Sequence, residues 1–194
     1  MRLEPIEHPQ GLKMKLVYFF TRKRFGKVIT PLKVITARVP KSIRMSYEIT
    51  KMMESGFTLD KGLQLLLHTH ISEVNQCGFC IDISRAYVAH EGGSLEKLNR
   101  LPNYRTDPAF TPAERAALAY VEEVSRTKTA SDATFAELKR YFSDQQIAEI
   151  TMLNALENFY NLGNRPLGIE SDGLCALLER KAPHGVHASA RRSG

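Results

Sequence analysis

The chain has 194 residues, 43% hydrophobic and 25% charged, enough for one domain to bury a core without a disulfide staple or structural metal. Three unevenly spaced cysteines exclude the disulfide framework of a secreted domain and favour a reducing, cytoplasmic setting. No stretch approaches the roughly 20 consecutive apolar residues of a membrane-spanning helix, and the run Leu16 to Phe20 is too short for a signal-peptide core.

The charge is uneven. Residues 1–60 hold 12 Lys/Arg against 5 Asp/Glu, whereas residues 61–194 hold 15 against 16. A basic N-terminal arm, residues 1–40, therefore precedes a nearly neutral body at 41–181 and a tail at 182–194. Within the arm, Pro5, Pro9 and Gly11 read as an irregular lead-in, and residues 13–25 as a short basic helix. Arg22-Lys23-Arg24 beside Tyr18, Phe19 and Phe20 reads as a solvated helix face with its aromatics turned into the core. Nucleic acid or an anionic membrane would be the alternative partner. No nucleic-acid module signature accompanies the charge, so neither is expected. The β-branched stretch Val28 to Val39, bracketed by Pro31 and Pro40, fits a short strand or an extended connector.

Helical patterning dominates from Ile43. Ile43, Tyr47, Thr50 and Met53 recur at helical spacing before Gly56. Leu63, Leu66, Leu67, His70, Ile71 and Val74 trace a wide apolar face over about 59–74, with a break at Asn75-Gln76. Cys80, Ile83, Ser84, Tyr87 and Val88 give the next face, ended by Gly92-Gly93, and Ser94 caps a short helix through Leu98. Capping boxes at Thr111-Pro112-Ala113-Glu114 and Ser143-Asp144-Gln145-Gln146 open helices to about residues 126 and 162, with a helix capped by Ser131 between them. A last helix is expected near 172–181.

Cys77-Gly78-Phe79-Cys80 sets two thiols three residues apart at the start of a helix, where unpaired N–H groups stabilise a thiolate. Oxidation of one thiol puts the other in position to close a disulfide. Two other readings of the pair remain: small core residues, or half of a zinc site with His68, His70 or His90. The zinc reading lacks a second ligand pair, so no metal or other cofactor is expected. Cys175, alone, reads as a buried small residue.

The stretch Ile71 to Asp82 resembles the core motif of the AhpD-like, carboxymuconolactone decarboxylase superfamily. The segments Phe110 to Tyr120 and Phe142 to Thr151, with Asn161 and Asn164-Arg165, are similar to that family's following helices. The likeness spans roughly residues 40–170. It implies an all-α bundle that assembles as a homotrimer or hexamer. It also implies, in the alkylhydroperoxidase branch, reduction of organic hydroperoxides by the second cysteine, here Cys80, with Cys77 resolving. The reductant there is a dithiol such as a lipoyl group.

The family's proton relay is replaced: Ser84 stands four residues after Cys80 and Leu65 twelve before Cys77. Serine can hydrogen-bond a thiolate but is no base near neutral pH. Glu73 as base, oriented by His70, is the substitute within reach if the helix bends at Asn75-Gln76. The bland alternative makes Glu73 a solvated residue and His70 a core or interface histidine. Tyr87 reads as core filler, Asp82 and His90 as exposed, and Asn161 and Arg165 as fixing the C-terminal loop or a subunit contact.

Reduction of hydroperoxides or disulfides by Cys77 and Cys80 is thus the first functional reading. A non-catalytic or redox-switch oligomer is the second. The lactone-decarboxylating chemistry of the superfamily needs no C-x-x-C and fits least.

Overall fold

A computed structural model describes residues 1–90 and 95–179. Gly92-Gly93, the Ser94 cap and the expected tail at 182–194 lie outside the described residues, as does the side chain of His90. Among the described residues every regular element is helical. The order is α1 (Leu12–Phe25), α2 (Ser42–Ser55), α3 (Lys61–Val74), α4 (Gly78–His90), α5 (Leu95–Asn99), α6 (Pro112–Thr127), α7 (Asp132–Lys139), α8 (Asp144–Asn164) and α9 (Leu174–Glu179). None of them is long and apolar enough to cross a membrane.

Local chemistry sets most boundaries. Both capping boxes form, with Thr111 and Ser143 accepting from the backbone N–H three residues on and Glu114 and Gln146 reaching back. Asp60 caps α3 and Ser131 caps α7 in the same way. Helix α1 stops at Gly26, whose φ of 83° lets its N–H return to Arg22 O.

Helices α3, α6 and α8 enclose the main core, where Leu67, Ile71, Leu118, Val121, Ile150 and Leu153 are fully buried. A second cluster joins the start of α4 to both ends of the chain: Cys77, Phe79, Cys80 and Ala86 pack with Phe25, Val34, Ile169 and Leu174.

Two expectations about residues 1–40 are corrected. Val28 to Val39 is neither strand nor extended; it holds a π-helical turn at Leu32–Thr36. Pro31 adopts helical φ, and burying Val34 and Thr36 in a helical turn outweighs the weak local β preference. The aromatics of α1 do not all turn inward either. Tyr18 is buried and donates its O–H to Ile6 O at 2.8 Å, but Phe19 and Phe20, on other faces of the helix, are each 61% exposed.

Helices α3 and α8 are joined by a buried polar lock. Glu157 accepts from Ser72 Oγ and Asn161 Nδ2, each at 2.7 Å, and its other oxygen lies 3.0 Å from His68 Nδ1. All four residues are buried. Removing one side of such a cluster strands buried donors. Glu157→Ala is therefore expected to cost about 3–5 kcal/mol in urea unfolding, well above the ~1 kcal/mol of an exposed cap such as Thr111→Ala.

Candidate active site

The dithiol sits where α3 turns into α4. Gln76, in the left-handed region with φ 54°, closes α3: its N–H bonds Glu73 O and the N–H of Cys77 bonds Ser72 O, both at 3.0 Å. This is a Schellman ending, built on glutamine where glycine is usual. Cys77 O then accepts the Ile81 N–H at 2.9 Å, and α4 begins. The Cys77 and Cys80 sulfurs are joined as a disulfide, with Cα atoms 5.2 Å apart, inside the usual range.

The pair is enclosed. Cys77 is 1% and Cys80 2% exposed, under Phe25, Val34, Ile169 and Leu174. A buried polar group also reaches it: Asn164 Nδ2, at the end of α8, donates to Cys80 Sγ at 3.5 Å. The corner is tied to α8 by further bonds. Asn75 Nδ2 donates to Asn158 Oδ1 and Asn161 Oδ1, at 3.0 and 2.8 Å, and Arg165 Nη2 donates to Gln76 Oε1 at 2.8 Å. Asn161 and Arg165 thus hold the 75–77 corner.

The residues singled out from the sequence occupy several places. Ser84 is buried on α4, one turn past Cys80. Leu65 packs against the main core. Glu73 lies 4.0 Å from Arg85 Nη1, and burial holds its carboxyl above the usual range, with Arg85 partly opposing. His70 is buried beside a different acid, with Nε2 3.7 Å from Glu122 Oε2 and, among the described residues, without a hydrogen-bond partner. Its ring meets Tyr104 edge-to-face at 5.0 Å. The structure thus places Glu73 and His70 with separate partners. Tyr87 accepts from Arg24 Nη2 at 3.2 Å.

Asp82, expected to be exposed, is buried. Its carboxylate accepts the backbone N–H groups of Asp172, Leu174 and Cys175, at 2.8–3.0 Å, and so fastens the start of α9 onto α4. Cys175, expected to be buried, is half-buried against the cluster that holds the dithiol, because α9 lies at the surface over α4.

Glu157, not named from the sequence, and Asn164, named there only within the family likeness, are functional candidates to which sequence reasoning gave no role. A signal existed: Asn154, Glu157, Asn161 and Asn164 recur three or four residues apart, a polar stripe along a helix whose neighbours are apolar.

No protein-family model matches the chain. The uncharacterised protein YnjA of Escherichia coli is 31% identical over 163 residues, spanning 83% of this chain and 89% of YnjA. An Agrobacterium tumefaciens protein of unknown function, named as a candidate AhpD antioxidant-defence protein, superposes with TM-score 0.64 at 25% identity, over 71% of this chain and 96% of that one. The debrominase Bmp8 superposes with TM-score 0.74 at 19% identity, over 90% and 95% of the two chains, a likeness of fold.

His70 carries a pH signature. Burial lowers its pKa from 6.5 to about 4, the Glu122 charge only partly opposing. The unfolded chain therefore takes up this proton first, and the protein loses stability as pH falls from 6.5 towards 4. His70→Asn, compared with wild type in thermal melts across that window, is expected to flatten the pH dependence.

Proposed function

Because the chain belongs to the AhpD-like, carboxymuconolactone decarboxylase superfamily, we propose that it is a thiol-dependent oxidoreductase that reduces organic hydroperoxides or disulfides through Cys77 and Cys80. The observation that carries this reading is the enclosed pair at the head of α4, with the Asn164 amide donating to Cys80 Sγ.

In the reduced protein the Cys80 thiolate attacks the outer oxygen of a hydroperoxide. The O–O bond breaks, the alkoxide takes a proton and leaves as alcohol, and Cys80 becomes a sulfenic acid. The Cys77 sulfur then attacks that of Cys80, the S–S bond forms and water leaves. Two electrons pass from the dithiol to the peroxide. A dithiol donor returns them by two thiol–disulfide exchanges.

The Asn164 amide cannot act as an acid or base near neutral pH, but its N–H favours sulfur as thiolate over thiol. The N–H groups of the first α4 turn act in the same sense. We assign removal of the thiol proton to Glu73, which stands in the last turn of α3 four residues before Cys77 with its carbonyl bonded to the Gln76 N–H, and whose carboxyl pKa is held above the usual range by burial. His70 is left out of the relay because its ring faces Glu122 and Tyr104. Exposed Met45, Tyr47 and Met52 on α2, a helix with no buried residue, support self-assembly, for which the family resemblance implies a trimer or hexamer.

A non-catalytic redox switch is the second reading, favoured by Ser84 and Leu65 at the relay positions. The two separate on mixing reduced protein with a small excess of alkyl hydroperoxide and following intact mass and peptide maps. Loss of two hydrogens, confined to a Cys77–Cys80 disulfide, faster than oxidation of a free thiol and abolished in Cys80→Ser, is expected. Oxidation no faster than a free thiol would sink the enzymatic reading. In Glu73→Gln the rate near neutral pH is expected to fall, and its remaining pH dependence to follow ionisation of the Cys80 thiol alone.

A further inference from the structure

The dithiol is covered on all sides described, so its reaction partner needs a route to it. A cavity of about 350 Å³ meets the 75–77 corner at Asn75 and is lined by Arg2, Asn75, Asn161, Leu162, Arg165 and Pro166. Its floor is the Asn75–Asn161 hydrogen bond. Its wall is the guanidinium that holds Gln76, the residue next to Cys77.

The lining has an unmet charge. Among the described residues neither Arg2 nor Arg165 forms an ion pair with a carboxylate, and no acidic side chain lines the cavity. The Arg2 backbone N–H is pinned to Leu167 O at 2.8 Å, which sets the arm across the end of α8. Two positive planar groups suit a carboxylate. Leu162, 65% exposed, and Pro166 offer an apolar wall beside them. The volume is at the small end of ligand pockets and fits a small molecule.

We propose that this cavity binds the anionic group of the substrate, so that the preferred oxidants are small apolar hydroperoxides or disulfides carrying a carboxylate. The proposal rests on the redox reading above and adds a substrate class to it. The anion sits between Arg2 and Arg165, and its apolar body lies along Leu162 and Pro166 towards the corner. Arg165 links the bound anion to Gln76 and so to the position of Cys77.

The test reduces the full chain and follows its oxidation by a dianionic bis(carboxynitrophenyl) disulfide and by an uncharged dipyridyl disulfide. In each case the dithiol loses two electrons and two protons as the Cys77–Cys80 bond forms. The aryl S–S bond breaks to release two arylthiol groups. Each rate is divided by that of a small free thiol with the same reagent. The anionic-to-uncharged ratio is expected to exceed unity by about tenfold at low ionic strength and to shrink with added salt. Arg165→Gln is expected to remove most of that ratio and Arg165→Lys to restore part of it. Arg44→Gln, which removes a positive charge from α2 outside the cavity lining, is expected to retain it.

A ratio near unity in wild type, or one unchanged in Arg165→Gln, overturns the proposal while leaving the dithiol chemistry standing. If neither reagent outpaces the free thiol, the redox reading fails instead, and calorimetric titration of the oxidised protein with benzoate decides the site. Saturable binding lost in Arg165→Gln upholds it, and absence of binding overturns it.

Discussion

A carboxylate buried between two helices must find donors from both, and Glu157 does so with Ser72, His68 and Asn161. Each bond crosses from α8 to α3 or tightens α8 itself. The crossing is thereby fixed in register as well as in distance, which apolar packing alone enforces less strictly. The consequence reaches the dithiol one residue at a time. Ser72, held by its side chain, offers its carbonyl to Cys77 N–H; Asn161, held by Glu157, accepts from Asn75. One turn further along α8, the same stripe delivers Asn164 to Cys80 Sγ.

The site is therefore a product of the α3–α8 crossing as much as of the C-x-x-C motif. The motif supplies two sulfurs at disulfide distance. The crossing supplies the hydrogen-bond donor and the corner geometry, and Phe25, Val34, Ile169 and Leu174 supply the apolar enclosure that excludes water. Enclosure has an electrostatic side: away from water, a single N–H aimed at sulfur has more effect on ionisation than it would at the surface. An amide can thus take over part of the work of a histidine, stabilising charge on Cys80 without accepting its proton. Proton removal is left to another group.

Much of this was legible in the sequence where the determinants are local. Thr111 to Glu114 and Ser143 to Gln146 announce α6 and α8 because a capping box is a four-residue device. The motif around Cys77 and Cys80 pointed to the fold. What escaped depends on partners far along the chain. Glu157 meets Ser72 across 85 residues, and Asp82 is buried because three N–H groups some 90 residues later converge on it. No local pattern marks an aspartate that caps a distant helix. Val34 misled for the opposite reason, since a weak β preference lost to burial against Phe25 and the cysteines.

The account rests on Cys80 being an activated thiolate in a protein that lacks the family histidine. Ultraviolet thiolate absorbance of the reduced chain, titrated against pH with Cys80→Ser and Asn164→Ala alongside, tests that most directly. The account predicts one thiol ionising well below the ordinary cysteine value of about 8.5, absent in Cys80→Ser and shifted upward in Asn164→Ala. Ordinary titration of every thiol, or a Cys80 titration indifferent to Asn164, would contradict it.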